Sequence, residues 1–259
     1  MIEFINLGSG SSGNCTIIKY CDQILMIDAG FSGVELQRRL DAAHINVEHI
    51  RGILITHEHD DHIQGLKIFC KRNNDLPVYT NSLTAQRLTE LNKCPVNNFV
   101  FNNGATFKVG PFTIEAFSIS HDAIDPVGFV INVSGRKIGI ATDLGFIGKM
   151  VPFKLKNSDI LMLESNHEPD ILRNSKRPSY LQNRILSKRG HLSNKEALSL
   201  IKDSIGASTR HILLAHLSED CNDRDLVATG IERELSAMDR SDVDFHIAYQ
   251  DKNSPAVII

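Results

Sequence analysis

The chain lacks the features that mark secreted, membrane-bound or strongly charged proteins. Its five cysteines (Cys15, Cys21, Cys70, Cys94, Cys221) are scattered, odd in number and free of C-x-x-C spacing. A disulfide framework is therefore not expected, and the pattern predicts reduced, non-catalytic thiols in a cytoplasmic protein. No apolar run approaches the roughly 18 residues of a membrane span, and the first residues lack the basic-then-apolar order of a signal peptide. The expectation is a soluble, unexported protein with no membrane partner. An excess of one charge is also missing: 28 basic residues face 31 acidic ones. The overall field neither demands nor forbids a nucleic-acid partner, so any attraction for polyanions must be local. There is no low-complexity linker and no internal repeat, and 259 residues suffice for a core that needs no disulfide. No sequence feature assigns an oligomeric state.

One motif invites a cofactor reading. "LGSGSSGNC" (7–15) contains G-x-G-x-x-G at Gly8, Gly10 and Gly13. A dinucleotide cradle needs those glycines between a strand and the first turn of a helix, whose N-terminus holds the pyrophosphate. Here "CTIIKYCDQILMIDAG" follows, β-branched and apolar, so the loop joins two strands and nucleotide cofactor binding is not implied.

Short apolar strands then alternate with amphipathic helices. "FSGVELQRRLDAAH" (31–44) sets Val34, Leu36 and Leu40 near a helical stripe, and "RGILIT" (51–56) reads as a buried strand. "IQGLKIFCKRNN" (63–74) reads as helix, "LPVYT" as strand, and "SLTAQRLTELNK" as a helix capped by Ser82. Strands follow: 105–120 bends at Gly110-Pro111, and 127–145 is a hairpin turning at Ser134-Gly135. The second half repeats the style with strands at 158–165, 210–218 and 243–250 and helices around "YLQNRILS", from Ser193 to Ile205, and over 225–238. Two such series predict a single α/β domain over 1–259, an αββα sandwich of two mixed sheets flanked by helices, with a two-domain split as the alternative.

The informative segment is "LITHEHDDHIQG", which packs His57, His59, Asp61 and His62 just beyond a buried strand. In extended backbone, positions two apart point to one side, so His57, His59 and Asp61 converge and His62 turns in beside them. Imidazole and carboxylate suit zinc and other borderline or hard divalent ions. One histidine here would read as a polar loop residue; four ligand-capable groups in six positions read as a metal site. His121 after "AFSIS", Asp143 after "GIAT" and His216 after "ILLA" each follow an apolar strand, at the edge where α/β folds assemble sites.

T-H-x-H-x-D-H, a later His, an Asp after "AT" and a final His together resemble the metallo-β-lactamase fold superfamily over essentially the full chain. The resemblance implies two divalent metal ions, zinc or manganese: His57, His59 and His121 on one, Asp61, His62 and His216 on the other, Asp143 bridging. Two such ions about 3.5–4 Å apart can hold a hydroxide nucleophile at neutral pH. Formal charges leave the site near +1, which favours a transition state that gathers negative charge.

"ILMLESNHEPD" carries Glu164 and Asn166, and "SKRGHLSNKEA" carries His191 and Ser193. Taken alone, Glu164 reads as an acid at a strand end and His191 as the neighbour of a helix N-cap. Phosphodiesterases of the superfamily such as ribonuclease Z are similar here, and by that resemblance Glu164 orients His191, which contacts the scissile phosphate or protonates the leaving oxygen. Asp61, Glu164 and His191 would form the catalytic set. Ser12, Asn14, Asn166 and Ser193 are the candidate substrate contacts, although for Ser12 and Asn14 a plain glycine-rich hairpin loop is an equal reading. From 171 to 195 there are seven basic residues and no acidic one, bracketing His191 as a nucleic-acid backbone would require.

"GSGSSGNC", "THEHDDH", "LESNHEPD.LRNS" and "GHLSN" as a set look like the YycJ/WalJ (VicX) family. That resemblance implies a phosphodiesterase with 5′-to-3′ exonuclease activity on DNA, with RNA or a small nucleotide as the other substrates open to it. The alternative is a thioester or lactone hydrolase of the hydroxyacylglutathione hydrolase type, which uses the same seven ligands and has no need of Glu164 and His191. A non-enzymatic module binding a partner through the basic stretch is a third reading, against which the intact ligand set argues.

Overall fold

A computed structural model describes residues 1–73 and 76–259. Its strands form two mixed seven-stranded sheets. The contacts divide the chain into two compact units: Met1–Ser118 with Ala123–Val127 and Tyr249–Ile259, and Ile119–Asp122 with Gly128–Ala248.

The first unit begins with three buried strands, β1 (Ile2–Gly8), β2 (Cys15–Tyr20) and β3 (Gln23–Ile27), paired antiparallel in succession. Helix α1 (Gly33–Ala42) then carries the chain to β4 (Ile50–Leu54), which lies parallel to β3. A parallel pairing needs such a crossover, and here it sets the carboxyl ends of β3 and β4 side by side. The chain continues through α2 (Asp60–Ile63), α3 (Leu66–Arg72), β5 (Val78–Asn81), α4 (Ser82–Glu90) and β6 (Asn98–Phe101), with β4, β5 and β6 parallel. β7 (Thr106–Val109) and β8 (Phe112–Ser118) form a hairpin at Gly110-Pro111, so the expected bend is a full reversal.

Local chemistry explains these boundaries. Ser32 caps α1 by accepting the Glu35 N–H, and the i, i+4 pair Leu36 and Leu40 is buried, each worth about 2 kcal/mol of removed apolar surface. Val34, expected near that stripe, is 69% exposed, and the buried face includes Arg39, whose guanidinium lies over the Phe31 ring. α4 is capped by Asn81, not Ser82: Asn81 ends β5 in extended backbone and its side chain accepts the Thr84 N–H. The helical reading of 63–74 becomes α2 and α3 around Gly65, where a Cβ would lie 2.2 Å from the Phe31 carbonyl oxygen; residue 74 lies outside the described residues. The glycine-rich loop does join β1 to β2, and at Gly13, with φ +153°, a Cβ would meet the Phe31 ring at 2.5 Å.

The second unit is built on β9 (Val127–Val133) and β10 (Arg136–Ala141), an antiparallel hairpin whose turn residues Ser134 and Gly135 both have positive φ, as a type I′ turn requires. β10, β11 (Ile160–Glu164), β12 (His211–Ala215) and β13 (Asp244–Ile247) then run parallel. Five helices cover the connections: α5 (Met150–Leu155), α6 (Pro169–Arg173), α7 (Ser179–Ile185), α8 (Asn194–Ser204) and α9 (Arg224–Ala237). α8 opens with a capping box in which Ser193 and Glu196 satisfy each other's backbone N–H groups. β14 (Val257–Ile258) returns to pair with β1 in the first unit. Among the described residues no helix is long and apolar enough to cross a membrane. The cysteines are free thiols, and burial pushes the Cys15 thiol far above its ordinary range, leaving it inert.

Candidate metal-binding residues

In the first unit the strand ends make the site. β3 and β4 pair with Ile27 opposite Leu54, so Asp28 and Thr56, the residues just beyond, meet: the Thr56 N–H donates to Asp28 Oδ1 at 2.9 Å. His57, fully buried, follows at once, with Nε2 3.1 Å from His59 Nδ1. Only this pair follows the strand alternation. Asp61 and His62 come instead from the helical turn α2, with His59 as its N-cap residue, which corrects the extended reading of the whole motif. The turn packs tightly: a Cβ on Gly30 would lie 1.7 Å from the Asp61 carbonyl oxygen, so only glycine fits there. His62 Nε2 lies 3.5 Å from Asp61 Oδ2.

In the second unit three parallel strands end together, with Ala141 opposite Leu163 and Glu164 opposite Ala215. Asp143, Glu164 and His216 therefore share one edge. His216 Nε2 is 3.4 Å and His121 Nε2 3.9 Å from Asp143 Oδ1. Asp143, Glu164, His191 and His216 each offer a ligand-type atom within 4.8 Å of the others. Asp28, Asp143 and His216 all adopt left-handed backbone, with φ of 61°, 58° and 55°. Such a conformation costs non-glycine residues on the order of 1 kcal/mol, and it recurs where side chains must be aimed.

The imidazoles share a design that the sequence did not disclose. His62 Nδ1 donates to Asp28 Oδ2 at 2.8 Å, His121 Nδ1 to the Gly190 carbonyl at 3.0 Å, and His216 Nδ1 to Glu164 Oε1 at 3.0 Å. His57 Nδ1 bonds the Thr56 hydroxyl at 3.0 Å, and that hydroxyl in turn donates to Asp28. Carboxylates and carbonyls only accept, so in these rings the proton sits on Nδ1 and Nε2 keeps its lone pair. That is the tautomer a cation needs, fixed from behind by an oxygen. Burial also holds His121 below its ordinary pKa, against the pull of Asp143. Imidazole nitrogens with Asp61 and Asp143 as carboxylates make a donor set that fits zinc or manganese.

Glu164 is the hub of the second unit. It is fully buried and accepts from the Leu144 and Leu192 N–H groups on Oε2 and from His191 and His216 on Oε1, the His191 bond being 2.7 Å. Burial alone would raise its pKa, but His191 and His216 together hold the carboxyl below its usual range. Three candidate substrate contacts prove to be tied inward. Asn14 donates to Asp61 Oδ2 at 3.2 Å and contacts His62 Nε2 at 3.1 Å, while its own oxygen accepts from Ser9 and Gly10. Asn166 donates to the His216 carbonyl, and the Ser193 hydroxyl belongs to the capping box. Ser12 is exposed, and its N–H donates to Gln250. Within the basic stretch Arg173, Arg177 and Arg184 pair with Asp170, Asp220 and Asp122. Sequence reasoning missed Asp28 and Thr56, although Asp28 follows the apolar run "ILMI" as Asp143 and His216 follow theirs.

A family model described as the β-lactamase superfamily domain matches residues 24–216. The exodeoxyribonuclease YycJ of Bacillus anthracis is 35% identical over 236 residues, which cover 90% of this chain and 89% of the relative. The exodeoxyribonuclease WalJ of Streptococcus pneumoniae is 32% identical over 246 residues, 93% of this chain and 91% of the relative. Among solved structures the metallo-β-lactamase fold protein YhfI of Bacillus subtilis superposes with a TM-score of 0.75 at 17% identity, covering 98% of this chain and 99% of the other, a likeness of fold. The chain belongs to the β-lactamase superfamily, and it is a metal-dependent hydrolase of the metallo-β-lactamase fold.

Proposed function

We propose that this protein is an exonuclease that hydrolyses DNA phosphodiester bonds with two divalent ions. His57, His59 and His121 would hold one ion and Asp61, His62 and His216 the other, with Asp143 shared. The relatives named exodeoxyribonucleases support the substrate class. The observation that carries the reading is the 2.7 Å bond between Glu164 and His191, because a hydrolase of thioesters or lactones, which would use the same carboxylate behind His216, has no need of a further histidine outside the seven proposed ligands.

Bound divalent ions supply Lewis-acid polarisation of the phosphate and a nucleophilic oxygen at neutral pH. The chain's own residues do the rest. Glu164 is completely buried, whereas the His191 side chain is 19% exposed, so the ring can meet substrate while its partner stays dry. With Nδ1–H directed at Glu164, the His191 ring is held with Nε2 left for the substrate, where it would hand a proton to the leaving oxygen. Asp28, Thr56 and the Gly190 carbonyl keep the ligand rings in their required tautomers throughout.

The test is an activity screen on 5′-labelled single-stranded and duplex DNA, RNA, bis-p-nitrophenyl phosphate and a thioester, joined to metal analysis. Release of mononucleotides from DNA, abolished by chelation, is the expected outcome. Turnover of the thioester and of no phosphodiester would replace this reading with the hydroxyacylglutathione hydrolase type.

A further inference from the structure

Beside His191 the second unit opens a cleft of about 480 Å³, lined among others by His167, Arg173, Ser193 and Lys195. A volume of that order accommodates a small ligand, and the chemistry of the walls is specific. His167 is 1% exposed, and its Nδ1 has no hydrogen-bond partner among the described residues. His167 lines the cleft, and buried imidazole nitrogens rarely stay unpaired, so a polar group of a ligand is a fitting partner for it. Its backbone is fixed, since its carbonyl accepts the Asn194 N–H and it bridges to Ser193. Two cations flank it. Lys195 is exposed and makes no ion pair among the described residues, and Arg173 has only the loose, exposed contact of 3.3 Å to Asp170. The cleft also meets the start of the 11-residue helix α8, whose dipole is positive there. Its one lining carboxylate, Glu196, is engaged: Oε2 accepts both the N–H and the hydroxyl of Ser193.

We propose that this cleft is a phosphate subsite, which takes a substrate phosphate other than the one being cut, with Arg173 and Lys195 as the cations and His167 as a hydrogen-bonding partner. The proposal rests on the nucleic-acid reading of the site and deepens it. A phosphate one position from the scissile bond would be anchored within reach of His191, so the subsite sets where the strand is held. Two sources share this chemistry: the terminal 5′-phosphate of a strand and an internal backbone phosphate.

The experiment measures binding to the metal-loaded full chain of phosphorothioate DNA tetranucleotides that carry either a 5′-phosphate or a 5′-hydroxyl, by calorimetry over a range of salt. In R173A/K195A, both positions being exposed, the dissociation constant should rise about tenfold or more. The salt slope should fall by about one for each lost phosphate contact. A loss confined to the 5′-phosphorylated ligand assigns the subsite to a strand terminus; an equal loss on both assigns it to the backbone. H167L, which removes the ring nitrogens, should weaken the same ligand. If the wild-type chain binds and cleaves DNA while R173A/K195A keeps the affinity and salt slope of the wild type, the subsite is overturned and the nuclease reading stands. If the wild-type chain neither binds nor cleaves DNA, the nuclease reading falls, and the subsite with it.

Discussion

Replacing Glu164 by glutamine tests the tautomer argument directly. The carboxylate accepts four hydrogen bonds: Leu144 N–H at 2.9 Å and Leu192 N–H at 3.0 Å on one oxygen, His191 at 2.7 Å and His216 at 3.0 Å on the other. An amide has only one accepting oxygen. The backbone N–H groups cannot change their role, so that oxygen must turn to them, and the amide NH₂ then faces the imidazoles. His216 responds by moving its proton from Nδ1 to Nε2, the atom that a cation needs. Metal binding must then either restore the old tautomer against a facing donor or lose this ligand. Changes behind a metal-binding histidine typically cost 10- to 100-fold in affinity, or about 1.4–2.7 kcal/mol. Exchanging charge-assisted for neutral hydrogen bonds should also lower stability by about 1–3 kcal/mol. Zinc affinity by competition with a chromophoric chelator, and urea unfolding of the chelated protein, measure the two effects separately. Folded E164Q that binds zinc within twofold of the wild type would refute the reasoning.

Other substitutions separate chemistry from metal binding. H191A should lower turnover by about 10²-fold or more, the range for a positioned acid–base group, with metal content nearly intact; loss of metal would make His191 a ligand instead. On the proposed two-ion reading, D143A should strip or disorder both ions, visible as a fall in metal stoichiometry. N14A should weaken metal binding about tenfold and leave KM within twofold, because its amide is tied to Asp61 and His62; a raised KM with unchanged metal affinity would restore Asn14 as a substrate contact. Away from the site, Arg38 and Arg39 hold Glu35 down to about 2 from an ordinary 4.5. A depressed carboxylate contributes stability above its unfolded pKa and loses it as pH falls toward the folded one. The stability gap between wild type and E35Q, under about 1 kcal/mol for so exposed a cluster, should therefore close between pH 4.5 and 2 in chelated protein. A gap that stays constant would show that the ion pairs contribute nothing.

The T-H-E-H-D-D-H segment and the elements around it were legible because their signals are local. Apolar runs ending in His or Asp, the Ser134-Gly135 turn and the helix start at Ser193 each depend on residues within a few positions of one another. Where such local reading slipped, at Ser82, Val34 and the course of residues 57–62, the shift was a residue or a single helical turn.

The partners behind the metal-binding groups were not legible in that way. Asp28 and His62 are 34 positions apart, Glu164 and His191 27, and Glu164 and His216 52. The resemblance to phosphodiesterases suggested the second pair. It gave no sign that the same carboxylate serves His216, or that Asp28, Thr56 and Gly190 serve the other rings. Nor could it show that Asn14 bonds Asp61 and that Asn166 bonds the His216 carbonyl. By itself the amino-acid sequence determined which imidazoles and carboxylates stand just beyond the ends of apolar strands, because hydrophobic periodicity and turn chemistry are short-range properties. Only the tertiary structure decided which oxygen stands behind His57, His62, His121 and His216, since that depends on strand register and on loops brought together from distant parts of the chain, and with it where these rings keep their proton.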